Sequence, residues 1–295
     1  MIYINGHSNF NIKIIFINNE YFIIKYANNK EDFTRLIKQI EKQKLFEPNL
    51  YFSKPLITTI DISNLNFKMK YISGIDIFNM IINSSKNKNI CFFNKIIYLI
   101  DKFIKDSPEK LIEKNIISNK LSSIKTIIES NNKIDTNFND LFNLLEIYIN
   151  TIDIYLPIGK CHGDLTFSNM IYDFDNDTIY LIDFLDSFIE TPLFDIIKIR
   201  QDTKYQWSLN LINYEYNYIT ISSYLDMFDN IIHNYYKNNT FYNHYNFFQI
   251  INLLRVLQYT KDIKIINYLI KHIDQLKNDF KLSELRNKLI DTADG

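Results

Sequence analysis

Residues 160–195 read KCHGDLTFSNMIYDFDNDTIYLIDFLDSFIETPLFD, and the rest of the chain is best interpreted outward from them. An apolar run leads into His162-Gly163-Asp164, four residues intervene, and Asn169 follows. SNMIYD and DTIYLIDF are rich in β-forming residues around an Asp/Asn turn, which predicts a hairpin closing on Ile182-Asp183-Phe184. Such a hairpin brings Asn169 and Asp183 to the same end of its two strands. The order is Asp, five positions on Asn, fourteen positions on Asp.

The residue types suit one chemistry. Asp164, in a loop just past a strand, can accept a hydrogen bond from a substrate hydroxyl and take its proton as a phosphoryl group moves. Asn169 offers a neutral carbonyl oxygen and Asp183 a charged one, hard ligands suited to Mg²⁺ that already carries phosphate oxygens. Two other readings fail. Asp173, Asp175 and Asp177 alternate like the start of a calcium loop, but Thr178 stands where Gly is needed and Phe184 where Glu is needed. DFDND evokes the nucleophile motif of haloacid-dehalogenase-like phosphatases, yet its fifth position is Asp177 instead of Thr or Val. A solvated hairpin turn accounts for these carboxylates.

On His162-Gly163-Asp164, Asn169 and Ile182-Asp183-Phe184, the stretch resembles the catalytic core of the aminoglycoside phosphotransferase and choline kinase superfamily. That is the small-molecule branch of the protein-kinase-like fold. The resemblance implies an α+β fold: a small antiparallel sheet with one helix, then a mainly helical lobe with catalytic hairpins. It implies a nucleotide-binding lobe over residues 1–74, and over 75–295 a lobe with the catalytic loop, metal site and acceptor site. ATP or another NTP and Mg²⁺ are the implied cofactors. Asp164 is the implied catalytic residue, with Asn169 and Asp183 on the metal. His162 ties the loop down and Asp195, in TPLFD, buttresses it. Gly163 stands where a protein kinase has the Arg that serves activation-segment phosphorylation, and Asp183 to Asp195 is too short for a protein-docking segment. Leu185 follows the choline kinase form of the metal motif. These departures favour a small acceptor.

The upstream residues supply the expected nucleotide lobe. Strands are predicted over 1–5, 12–17 and 21–26, the last two joined at Asn18-Asn19. Lys25, in YFIIKY, occupies the place of the phosphate-binding Lys. Gly6-His7-Ser8-Asn9 falls where the nucleotide-covering loop belongs, so Ser8 and Asn9 are candidate phosphate contacts. A helix over 30–46 carries Phe33, Leu36, Ile37 and Ile40 at helical spacing. It should present the acid that pairs with Lys25: Glu41, with Glu31 and Glu47 as alternatives. Strands over 56–62 and 65–72 follow, and Met69, Tyr71 and Ile72 are placed against the adenine.

Beyond Gly74 the periodicity predicts helices near 75–84, 90–105, 111–130, 138–153, 219–236, 247–260 and 263–285. The run IRQDTKYQW interrupts it at 199–207. Acceptor candidates are Asp186, Glu190, Asp202, Tyr205 and Trp207, with Arg255 and Tyr259 further on. Acid plus aromatic suits an amine or quaternary ammonium, while Asp, Gln and Trp together suit a sugar. The acceptor thus stays open between a sugar or glycan precursor, choline or ethanolamine, and an aminoglycoside. The alternative is a catalytically silent kinase-like module that senses a ligand or partner, against which the joint presence of Lys25, Asp164, Asn169 and Asp183 argues.

The 295 residues are 46% hydrophobic and 23% charged, which describes a globular chain. A net charge of −1 gives no electrostatic case for nucleic acid. No apolar run approaches the ~20 residues that span a bilayer, and the N-terminus lacks a secretory pattern. Cys91 and Cys161 have no metal-like spacing and read as reduced, buried thiols of a cytoplasmic protein.

Overall fold

The structure is a computed structural model that describes residues 2–5, 10–210 and 217–293. Two compact units emerge, residues 1–105 with 160–230 and residues 106–159 with 231–295. The first opens with β1 (Ile2–Asn5), β2 (Asn11–Ile17) and β3 (Glu20–Tyr26). Asn18 and Asn19 both adopt positive φ, 50° and 63°, as a tight hairpin turn requires and as Asn tolerates. Helix α1 (Lys30–Leu45) starts at Asn29, whose side chain accepts the Asp32 N–H at 2.8 Å. After β4 (Phe52–Ser53) come β5 (Ile57–Asp61) and β6 (Asn66–Lys70), giving an antiparallel sheet in the order β1-β2-β3-β6-β5.

Helix α1 is held on that sheet by its apolar face. Phe33, Leu36 and Ile40 pack with Phe67 and Met69 of β6, flanked by Ile23, Ile37 and Ile57. Each such side chain contributes roughly 1.5–3 kcal/mol by leaving water, far more than propensity gives a 16-residue helix.

The chain continues through β7 (Ile75–Asp76), α2 (Ile77–Asn83) and α3 (Lys86–Lys105). The second unit then begins with β8 (Glu109–Leu111), α4 (Lys114–Glu129), α5 (Asn139–Thr151) and β9 (Tyr155–Pro157). Back in the first unit lie β10 (Met170–Asp173), β11 (Thr178–Leu181), α6 (Pro192–Thr203) and α7 (Trp207–Asn210). Helix α8 (Tyr218–Tyr236) leads to α9 (Tyr245–Leu257) and α10 (Ile263–Ala293). In the second unit β8 pairs with β9, and α4 packs against α5 and α9. The buried His244 ring lies there with Nδ1 at 2.8 Å from the Tyr148 hydroxyl.

The expected α+β architecture is present, with three departures. The units part near residues 105 and 160 instead of at 74. The reason is a second sheet, β4-β11-β10-β7. In it β4 runs parallel to β11 and β7 antiparallel to β10, so N-terminal segments pair with the predicted hairpin. Gly74 permits the approach, since a Cβ there would lie 2.6 Å from Ile171 Cγ2.

The run through residues 199–207 breaks helix only at 204–206, between α6 and α7. Helix α6 extends to Thr203 and is buried at every position. A helix buried all round has no polar face, so its periodicity is hidden from the sequence. Finally, Cys161 is buried but Cys91 is exposed on α3. Among the described residues no helix is long and apolar enough to cross a membrane.

Candidate active site

The loop from His162 to Asn169 is shaped from below by α6. Asp195, wholly buried, accepts the N–H groups of His162 and Gly163, each at 2.7 Å. Burial raises its carboxyl to about 7 although both amides favour the charged form. His162 has no exposed surface. Its Nε2 lies 3.0 Å from the Ile182 carbonyl oxygen, and Asp164 N–H reaches its Nδ1 at 3.2 Å. These contacts suit a neutral ring that donates at Nε2 and accepts at Nδ1, and burial moves its pKa down to about 4. His162 therefore braces the loop and the end of β11 together. Gly163 has φ +85°, and any Cβ there would press on the Leu185 carbonyl oxygen.

Asp164 is held on both carboxylate oxygens. Lys198 Nζ of α6 lies 3.0 Å from Oδ1, and Asn169 Nδ2 donates to Oδ2 at 2.8 Å and to the Asp164 carbonyl at 2.8 Å. Burial alone would raise this carboxyl. The Lys198 ammonium, helped by the Asn169 amide, more than offsets that and holds it below the ordinary carboxylate value.

The hairpin forms as its sequence predicts. Met170 faces Leu181 in the register, and Ile182 N–H bonds the Asn169 carbonyl at 3.0 Å, so Asn169 and Asp183 share one end. The Asp-rich turn closes on itself: Asp173 accepts the amides of Asp175 and Asn176, and Asp177 pairs with Lys95 at 2.8 Å.

Lys25, nearly buried on β3, reaches Asp183 Oδ1 at 2.8 Å across 158 positions of sequence. The Phe10 ring lies 4.9 Å from its ammonium. Glu41 is not its partner. Leu36 and Ile40 turn α1 onto the sheet, which leaves Glu41 in solvent. Glu31 is exposed as well, and Glu47 lies exposed 4.0 Å from Lys160. The α1 positions that face the metal-motif loop carry lysines. Lys42 pairs with Glu190 and donates to the Leu185 carbonyl at 2.8 Å, and Lys38 pairs with Asp186 at 3.3 Å. Burial pushes the adjoining Cys161 thiol well up, so it is protonated and a poor nucleophile.

Other expected contacts fall elsewhere. Asp202 cannot meet an acceptor. It is wholly buried, accepting Phe167 N–H at 2.6 Å and Ser208 N–H at 2.9 Å, and so fixes the far end of the catalytic loop and the start of α7. Burial raises its carboxyl to about 6. Tyr205 is also buried, whereas Trp207 is half-buried at the first position of α7. Arg255 is half-buried near the end of α9, and Tyr259 is exposed just beyond it. The Met69 side chain is part of the core under the sheet, and Tyr71 N–H is taken by the Tyr21 carbonyl at 3.0 Å. Ile72 is half-buried in the extended segment beyond β6. Ser8 and Asn9 lie outside the described residues.

Among the described residues there is no cluster of three or more His, Cys, Asp or Glu suited to a metal. The hairpin end offers a smaller donor set. Asn169 directs its amide nitrogen at Asp164, which leaves Oδ1 as a donor. Asp183 gives Oδ1 to Lys25 and keeps Oδ2 on a side chain that is 37% exposed. Two hard oxygens fit Mg²⁺, which commonly takes one or two protein ligands and completes its shell with phosphate and water.

Lys198 and Lys42 are not among the residues that the motifs single out in the sequence. Lys198 was signalled by its place three residues after Asp195 and four before Asp202, one stripe of a helix.

No family model matches the sequence, and no curated protein matches it by sequence. Solved structures do match in fold. Choline kinase LicA from Streptococcus pneumoniae superposes with a TM-score of 0.60 at 13% identity, covering 94% of this chain and 92% of that one. Aminoglycoside phosphotransferase APH(4)-Ia gives 0.61 at 8% identity over 94% and 92%. The streptomycin–ATP ternary complex of APH(2")-IIa gives 0.56 at 14% identity over 93% and 90%. In fold, the chain is similar to these choline kinase and aminoglycoside phosphotransferase structures.

Proposed function

We propose that this chain is an ATP-dependent phosphotransferase acting on a hydroxyl group of a small molecule. The observation that carries the reading is the meeting of Lys25 with Asp183 at the hairpin end where Asn169 holds Asp164. In this reading Lys25 binds phosphate oxygens, and Asn169 Oδ1 and Asp183 Oδ2 hold Mg²⁺. The ion supplies positive charge against the phosphates when bound. Asp164 orients the acceptor hydroxyl and takes its proton as the new O–P bond forms and the bond to ADP breaks. A solved relative in fold that holds ATP with streptomycin supports the nucleotide part.

For the acceptor, the carboxylates first considered for a cationic group already have partners: Asp186 has Lys38, Glu190 has Lys42, and Asp202 has two amides. This favours a neutral polyhydroxy acceptor such as a sugar, with Trp207 as a stacking contact, over a polycation. A requirement for ATP would put the activity in the cytoplasm.

Calorimetry with ATP, with and without Mg²⁺, tests the nucleotide half. A labelled-ATP screen of fractionated metabolites then identifies the acceptor. Absence of Mg²⁺-dependent ATP binding would sink the reading and favour a silent module.

A further inference from the structure

Helix α6 places Asp195, Lys198, Arg200 and Asp202 in a segment with every residue buried. Charged side chains are seldom buried unless paired, and each of these is. Arg200 forms a two-pronged pair with Asp229 at 2.8 Å on both arms. The other three recur at spacings of three and four, share one face of the helix, and meet the catalytic loop at successive points. Asp195 takes the amides of residues 162 and 163, Lys198 the Asp164 carboxylate, and Asp202 the amide of residue 167.

The two acids bind backbone only, so they set the path of the loop. Lys198 alone touches the group that would do chemistry. It is itself fixed, lying 3.4 Å from Gln201 Oε1 one turn along the helix. Asp164 is thus gripped from two rigid directions, by Lys198 on Oδ1 and by Asn169 on Oδ2. One grip alone would leave the carboxylate free to rotate about its Cβ–Cγ bond.

We infer that Lys198 is a positioning residue of the proposed phosphoryl transfer, acting through Asp164 to aim its carboxylate at the acceptor hydroxyl. The inference rests on the kinase reading. In the step itself the acceptor O–H bond breaks, its proton passes to Asp164, the acceptor oxygen bonds the γ-phosphorus, and ADP departs. Lys198 keeps its proton throughout.

The experiment needs no known acceptor. Hydrolysis of Mg·ATP, with water as the acceptor, is followed for wild type, Lys198→Met, Lys198→Arg, Asp164→Asn and the Asp164→Asn/Lys198→Met double variant. Lys198→Met should lower kcat on the order of 10²-fold, the usual cost of a misaimed catalytic group, with the ATP KM within about threefold. Lys198→Arg should recover most of that loss, because it restores a cation on Oδ1. In the Asp164→Asn background Lys198→Met should have no further effect, since a residue acting through Asp164 has nothing left to act on.

Wild-type kcat in Lys198→Met, a loss confined to KM, or an equal further loss in the Asp164→Asn background would each overturn the inference while leaving the kinase reading intact. A wild type without turnover overturns both. If Lys198→Met fails to fold, the double variant against Asp164→Asn and the Arg variant against wild type still decide, because neither leaves a buried carboxylate unpaired.

Discussion

At Gly163, backbone conformation and packing make the same demand. A φ of +85° disfavours any side chain, and the Leu185 carbonyl fills the space a Cβ would need. Gly163→Ala should therefore cost about 2 kcal/mol in urea denaturation, within the range of a strained backbone, and should shift Asp164 enough to lower turnover. One residue on, Asp164→Asn should lower turnover on the order of 10²- to 10⁴-fold, to a residual rate, while Mg·ATP affinity stays within a few fold, because Asp164 serves the acceptor. Asp183→Ala should instead weaken Mg²⁺-dependent ATP binding, since it removes both a charged oxygen and the partner of Lys25. Calorimetry separates the two: unchanged Mg·ATP affinity in Asp183→Ala would remove Asp183 from the metal.

Helix α1 shows how an element can be foreseen while its use is not. Its apolar stripe placed it against the sheet, as observed. That stripe also decides which positions meet the metal-motif loop: Lys42, largely covered, and Lys38, on an exposed pair with Asp186, while Glu41 stays in solvent. Glu41→Ala should accordingly leave kcat and ATP KM within about twofold, as an exposed side chain allows. Lys42→Met removes the tie from α1 to Glu190 and to the Leu185 carbonyl, two residues past Asp183. It should lower kcat/KM by on the order of tenfold to a hundredfold through misplacement of the metal loop. Steady-state kinetics on the two variants side by side checks both statements, and the reverse ranking would restore Glu41 to the nucleotide site.

Across the whole molecule, buried titratable groups pull stability in opposite directions with pH. Burial holds His244 at about 4, whereas an unfolded chain binds that proton near pH ~6.5. Stability from this group is therefore lost as pH falls from ~6.5 through about 4, by about 2 kcal/mol at pH 5 relative to pH 7. His162, also at about 4, acts in the same sense. Asp195 and Asp202, raised to about 7 and about 6, act oppositely: their contribution is full below the unfolded carboxylate range and is lost as pH rises through those values. Urea titrations of His244→Asn at pH 7 and pH 5 isolate one term, and the variant should lose less stability than wild type between them. From the residue order alone came the hairpin with Asn169 and Asp183 at one end, the Asn18-Asn19 turn, the stripe of α1 and the spacing around Asp164. All of these are local, written in strand alternation, turn chemistry or helical period. Only the tertiary structure decided that Lys198 meets Asp164, that Asp202 turns inward to backbone amides, that Asp183 and not Glu41 meets Lys25, and that β4 joins β11. Those choices depend on which faces of distant elements meet. A helix such as α6, covered on every side, carries no amphipathic pattern from which its partners could be read.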